Sequence, residues 1–89
     1  MAYEWIGRRV AIMDGCRTAF CKAGTSFRDL SPAELGTVAV RELIARAAID
    51  PDDVDELVYG IVVPPVQAPN VAREVGLAAG ITARASAFT

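Results

Sequence analysis

Residues Asp29–Val63 read DLSPAELGTVAVRELIARAAIDPDDVDELVYGIVV, a helix, its punctuation and a strand in one stretch. Ser31-Pro32-Ala33-Glu34 is a helix start. The Ser31 hydroxyl is placed to accept from a first-turn N–H that has no intrahelical partner. Pro32 loses nothing there, because its N–H would be unpaired anyway, and Glu34 reaches back to the N–H of Ser31. Leu35, Val38, Ala39 and Leu43 then recur at helical spacing, with Val40, Ile44 and Ala47 widening the stripe. Glu34, Arg41, Glu42 and Arg46 supply the wet side. The helix is expected to end near Ala48. Asp50-Pro51-Asp52-Asp53 caps one further short turn, where acidic groups suit the positive end of the helix dipole. Leu57–Val63 reads as a strand. It is apolar at almost every position, as in a strand covered on both faces of a parallel sheet, and Pro64 and Pro65 stop it.

Working outward, Arg8-Arg9-Val10-Ala11-Ile12-Met13 is a short apolar run closed by the turn signal Asp14-Gly15, and reads as a buried strand. Cys21–Leu30 reads as a loop. On the other side, Pro69 and Asn70 open a second helix with Val71, Ala72, Val75, Ala78 and Ala79 available for burial, and Gly80 is placed as its left-handed terminator. Ala83–Thr89 ends as the start of a third strand. The order strand, helix, strand, helix, strand implies parallel pairing through crossovers. The expected fold is α/β: a βαβαβ partial domain with a mostly parallel sheet, incomplete on its own, with at least one edge unpaired and one face thinly covered.

The 89 residues allow one small domain. The 53% hydrophobic content has two readings: apolar surface meant for something outside the segment, or a count raised by abundant alanine. Nine basic and eleven acidic residues are interspersed to a net charge of −2. That leaves no basic stripe for a phosphate backbone and argues against nucleic-acid binding. No apolar run approaches the ~20 residues of a membrane span. MAYEWIGRRV has its arginines after its apolar residues and no long apolar core, so it does not read as a signal peptide. The expected location is cytoplasmic, with reduced thiols.

Both cysteines lie in Asp14–Gly24, DGCRTAFCKAG, and the chain has no histidine. Cys16 and Cys21 alone do not make a zinc set, and Asp14 and Asp29 complete no recognised spacing. As a nucleophile Cys16 would need a positive group or a helix N-terminus to lower its pKa. Arg17 adjoins it, but no base manages the proton. A structural cysteine is the simpler reading. Neither G-x-G-x-x-G nor G-x-x-x-x-G-K-[ST] occurs, which argues against nucleotide binding. Asp50, Asp52, Asp53, Asp55 and Glu56 lack the glycine and spacing of a calcium loop, and helix capping accounts for them. Arg73 and Glu74 follow a proline-rich loop, and a surface helix of mixed charge accounts for them.

Taken together, RRVAIMDGCRTAFCKAG, the Asp29–Val63 stretch, APNVAREVGLAAGI and ASAFT resemble, in order and spacing, the thiolase family of acetyl-CoA acyltransferases. VVPPVQAPNVARE is most similar to the β-oxidation thiolases of trifunctional-complex type. The resemblance leaves out only Met1–Gly7, an N-terminal extension. Residues 8–89 then correspond to the N-terminal portion of the family's first domain.

The resemblance implies an enzyme that exchanges acyl groups between coenzyme A thiols, cleaving 3-ketoacyl-CoA or forming acetoacetyl-CoA through an acyl-cysteine. Coenzyme A is a substrate, with no prosthetic group and no metal. The acyl-accepting cysteine of the family lies a short distance after the strand that begins like ASAFT, and the activating histidine, second cysteine and CoA contacts come later still. Cys16 and Cys21 match none of these. No catalytic, cofactor-binding or metal residue is therefore carried onto this sequence. Arg17, Asn70 and Arg73 match recurrent family positions and are assigned to fold and subunit contacts. The implied assembly is a homodimer or tetramer, or a partner chain carrying the rest of the fold, and the segment alone is expected to be inactive. Two rival readings are a non-enzymatic split α/β module that acts by pairing with a partner chain, and a ketoacyl synthase of the same broad fold.

Overall fold

The helix-start signal folds as its residues dictate. In the computed structural model, which describes residues 9–89, Ser31 caps helix α1, Pro32–Ala47. Glu34 N–H donates to Ser31 Oγ at 3.1 Å, and Ser31 N–H donates to Glu34 Oε2 at 2.7 Å. This reciprocal pair occupies two donors that the helix cannot satisfy internally. Glu42 accepts from Arg46 Nε at 2.8 Å on the exposed face and raises the guanidinium pKa. Ala48 ends the helix in the left-handed region at φ 53°, with Ile49 N–H donating back to Ile44 O at 3.2 Å. One 3-10 turn follows, Pro51–Asp53, capped by Asp50 Oδ1 accepting from Asp52 N–H at 3.0 Å.

Strand β1 is Glu56–Val58, helix α2 is Val71–Ala78 and strand β2 is Ser86–Phe88. The strands pair in parallel with Leu57 opposite Ala87, and α2 lies in the crossover between them. Gly80 adopts φ 89° just past α2, as a left-handed terminator does.

The buried core lies under α2: Val71, Ala72 and Val75 from the helix, with Ile81 and Ala85 from the approach to β2. Helix α1 packs across α2 at Gly36, which is buried. Its lack of a side chain is what permits this, since a Cβ there would collide with Tyr59 and Val75. The remainder of the expected stripe on α1 is less covered than its spacing predicts. Val38 is exposed, and so is Ala78 of α2.

The α/β class and the parallel pairing stand, but the expected βαβαβ order is corrected: among the described residues the sheet has two strands, one expected strand is absent and another is shorter. Residues 9–13 form no strand, while Arg8 and the extension at 1–7 lie outside the described residues. A strand exists through its ladder. Here Ser86 N–H donates to Asp55 O and Tyr59 N–H donates to Phe88 O, so the backbone groups of Glu56 and Val58 face away from β2. No further strand joins that outward edge among the described residues. Val10, Ile12 and Met13 accordingly remain exposed.

The strand expected over Leu57–Val63 is shorter for the same reason. It pairs with β2 over Glu56–Val58, and its last ladder bond is from Tyr59 N–H to Phe88 O. It is also covered on one face only: Leu57 packs toward Gly76, while Val58 is 61% exposed.

Candidate functional site

In parallel α/β sheets, ligands bind outside the carboxyl ends of the strands. Here the first turn of α2 makes a set of side-chain hydrogen bonds along the β2 segment, from Ala85 before its first residue to Thr89 past its carboxyl end. Asn70 is the N-cap of α2, with Oδ1 accepting from Arg73 N–H at 3.4 Å. The same oxygen accepts from Thr89 Oγ1 at 2.8 Å, and Asn70 Nδ2 donates to Ala87 O at 3.1 Å. Thr89 Oγ1 in turn accepts from Ala72 N–H at 3.1 Å, and Arg73 Nη2 donates to Ala85 O at 2.8 Å.

The pattern follows from strand periodicity. Ser86 N–H and Phe88 O face β1. The carbonyls of Ala85 and Ala87 therefore point to the opposite edge of β2, where Asn70 and Arg73 meet them. An unpaired strand edge is thus satisfied by the first turn of the helix that precedes it. Past the carboxyl end of β1, Pro32, Leu35, Tyr59, Gly60, Ile61 and Val62 line an open apolar groove of about 620 Å³.

The amide, hydroxyl and guanidinium of this cluster are engaged with one another or with backbone. They hold the chain in place, and the cluster offers no nucleophile paired with a base. The other residues singled out by sequence lie apart from it. Arg17 is exposed, donates to Thr18 O at 3.0 Å and lies 4.7 Å above the Phe20 ring. Both cysteines are free thiols. Cys16 is half-buried and donates to Ala39 O at 3.2 Å, and Cys21 is exposed. Among the described residues no three His, Cys, Asp or Glu side chains gather as a metal site, and no helix is long and apolar enough to cross a membrane.

Asn70 and Arg73 were legible from the sequence as candidates, and the structure gives both a fold role. Thr89 and Tyr59 were not singled out. Nothing in their local sequence reports contacts made to residues 19 and 23 positions away, Asn70 and Gly36 respectively. The only sequence signal for Thr89 was a hydroxyl residue at the end of a strand.

The parallel pair, its crossover helix and the polar hold at the carboxyl end place the chain among crossover-linked α/β domains. A family model described as "Thiolase, N-terminal domain" matches residues 10–89, and the chain belongs to that family. It is 42% identical over 83 residues to the 3-ketoacyl-CoA thiolase of Shewanella pealeana, covering 93% of this chain and 19% of that one. The 3-ketoacyl-CoA thiolase of Aeromonas salmonicida is 41% identical over the same length and coverage. Among solved structures, the Acat5 thiolase from Ascaris suum in complex with coenzyme A matches with a TM-score of 0.72 and 25% identity. That match covers 75% of this chain and 18% of the Ascaris chain. The chain thus spans about a fifth of the length of its curated relatives, 19%.

Proposed function

We propose that the chain is the N-terminal part of a thiolase, an acetyl-CoA C-acyltransferase that cleaves 3-ketoacyl-CoA with coenzyme A through an acyl-cysteine. The observation that carries this reading is the family match across residues 10–89, with relatives named 3-ketoacyl-CoA thiolase over 93% of the chain. Residues 1–7 are an extension and 8–89 the first portion of the first thiolase domain. The nucleophile and its base lie outside these residues, so the segment supplies scaffold and no catalytic side chain. Coenzyme A is a substrate, and the Ascaris structure supports this by being a coenzyme A complex. The enzyme works in the cytoplasm in fatty-acid β-oxidation, as a homodimer or tetramer, and Arg17 serves subunit contacts.

A second reading, a non-enzymatic module that pairs with a partner chain, draws on the open outward edge of β1 and the exposed Ile12, Val62 and Val66. One experiment separates the two. The 89-residue chain is incubated with acetoacetyl-CoA and coenzyme A. In parallel it replaces the segment it matches in a full-length 3-ketoacyl-CoA thiolase relative. The thiolase reading expects no thiolysis above buffer from the first and restored thiolysis from the second. Activity in the isolated chain would overturn the placement of the nucleophile, and a folded but inactive hybrid would favour the partner-pairing module.

A further inference from the structure

Asp14-Gly15 reads as the turn that closes a strand, yet residues 9–13 form no strand and the pair is exposed. Gly15 N–H donates to Asp14 Oδ1 at 2.7 Å. The carboxyl carbon, one bond from that oxygen, is thereby held beside the nitrogen of the next peptide. Among the described residues, a Cβ on Gly15 would meet no atom within 4 Å beyond its chain neighbours, so nothing packed from elsewhere shields that nitrogen. Asp14 is also the only aspartate followed by glycine: Asp29 precedes Leu30, Asp50 precedes Pro51, Asp52 precedes Asp53, Asp53 precedes Val54 and Asp55 precedes Glu56. Glycine has no side chain to crowd an attack by its own nitrogen, and its backbone bends freely into a ring. The next residue, Cys16, is half-buried and its thiol donates to Ala39 O on α1 at 3.2 Å, whereas Cys21 is exposed.

We propose that Asp14-Gly15 is a site of isoaspartate formation, and that the modification releases Cys16 from α1. The Gly15 nitrogen bonds to Asp14 Cγ. The bond from Cγ to its hydroxyl oxygen breaks, and that oxygen leaves as water with the carboxyl and amide protons. Water then opens the succinimide ring. Addition at the Cα carbonyl leaves the main chain running through Cγ, one methylene longer, with the α-carboxylate as the side group. No oxidant or reductant takes part. The longer link shifts Cys16 relative to Ala39 and opens its thiol to reagents, and access is one of the controls on thiol reactivity. The exposed isoaspartyl carboxylate is the substrate class of a methyltransferase that uses S-adenosylmethionine. None of these residues carries the thiolase reading above, whose failure would leave the modification standing.

The test ages the 89-residue chain in warm neutral buffer and, in parallel, in concentrated urea. Peptide mapping with an isoaspartyl methyltransferase and labelled S-adenosylmethionine locates the product. Isoaspartate is expected at Asp14 several-fold above any other aspartate, preceded by a species lighter by one water, and no slower in buffer than in urea. Gly15→Ala, which crowds the nitrogen, is expected to slow it several-fold. In the unaged chain iodoacetamide is expected to alkylate Cys16 more slowly than Cys21. In the isolated isoaspartyl form Cys16 should react several-fold faster, with Cys21 unchanged. A rate in buffer several-fold below that in urea would mean that the fold shields the pair, and would overturn the site. Isoaspartate spread evenly over the aspartates would do the same. Equal alkylation of Cys16 and Cys21 before ageing, or a Cys16 rate unmoved by the modification, would overturn the release.

Discussion

Gly36 of α1 and Tyr59 beyond β1 meet with no room for a methyl group between them. A Cβ on Gly36 would overlap Tyr59 Oη and stand 2.9 Å from Val75 Cγ2. This contact sets how closely α1 approaches α2 and the parallel pair. A mid-helix glycine otherwise costs about 1 kcal/mol relative to alanine, so its presence in α1 answers to packing and not to propensity.

Gly36→Ala is therefore expected to destabilise the chain, because overpacking of ~1–3 kcal/mol outweighs the gain in propensity. Tyr59→Phe removes the nearest atom and should recover part of the loss, giving a favourable coupling in a double-mutant cycle. Urea midpoints of the four proteins measure it. Additive effects would mean that the two residues do not share the contact.

Asn70→Ala removes an N-cap and the bonds to Thr89 and Ala87 together. A cap alone is worth ~1 kcal/mol, and each further neutral hydrogen bond contributes ~1 kcal/mol. A loss of about 1–3 kcal/mol in denaturant unfolding is expected, with faster hydrogen exchange at Ala72 N–H. Ser31→Ala, which breaks only the local capping box of α1, should cost about 1 kcal/mol and leave exchange at Ala72 unchanged.

Ala48 closes α1 in the left-handed region, φ 53° and ψ 40°, where an L side chain crowds the following carbonyl. Glycine at this position escapes that penalty and gives back part of the gain through its freer unfolded chain. Ala48→Gly is expected to raise stability by roughly 0.5–1 kcal/mol, read as a higher urea midpoint with an unchanged slope. A lower midpoint would show that the helix end is not held in this conformation in solution.

Ile12 and Val62 are each 96% exposed and Val66 is 92% exposed, and among the described residues no further strand pairs with the outward edge of β1. The isolated chain should self-associate, eluting from a sizing column above its 9.4 kDa and increasingly so with concentration. Val62→Ser with Val66→Ser is expected to shift elution toward the monomer while changing unfolding stability by no more than ~0.5 kcal/mol. Elution of the parent chain as a clean monomer at all concentrations would count against an unmet partner surface.

The division between what was legible in the sequence and what was not follows contact range. The capping box of Ser31 and Glu34, the Asp50 turn, the Asn70 cap and the Gly80 terminator are bonds across one to four residues, and local residue types dictate them. The α/β class followed from the alternation of these elements, and family membership from the order of motifs along the chain. Three outcomes depended on distant partners. Residues 9–13 have strand-forming side chains but meet no ladder, so β-competence did not become a strand. LVYGIVV pairs with β2 only through its first residues, with Tyr59 N–H making the last ladder bond. The grip of Asn70 and Arg73 on β2, and the fit of Gly36 under Tyr59, join residues 12 to 23 positions apart. Propensity and capping act within a turn of chain, whereas strand extent, register and close approach are decided by whichever surface the fold brings alongside.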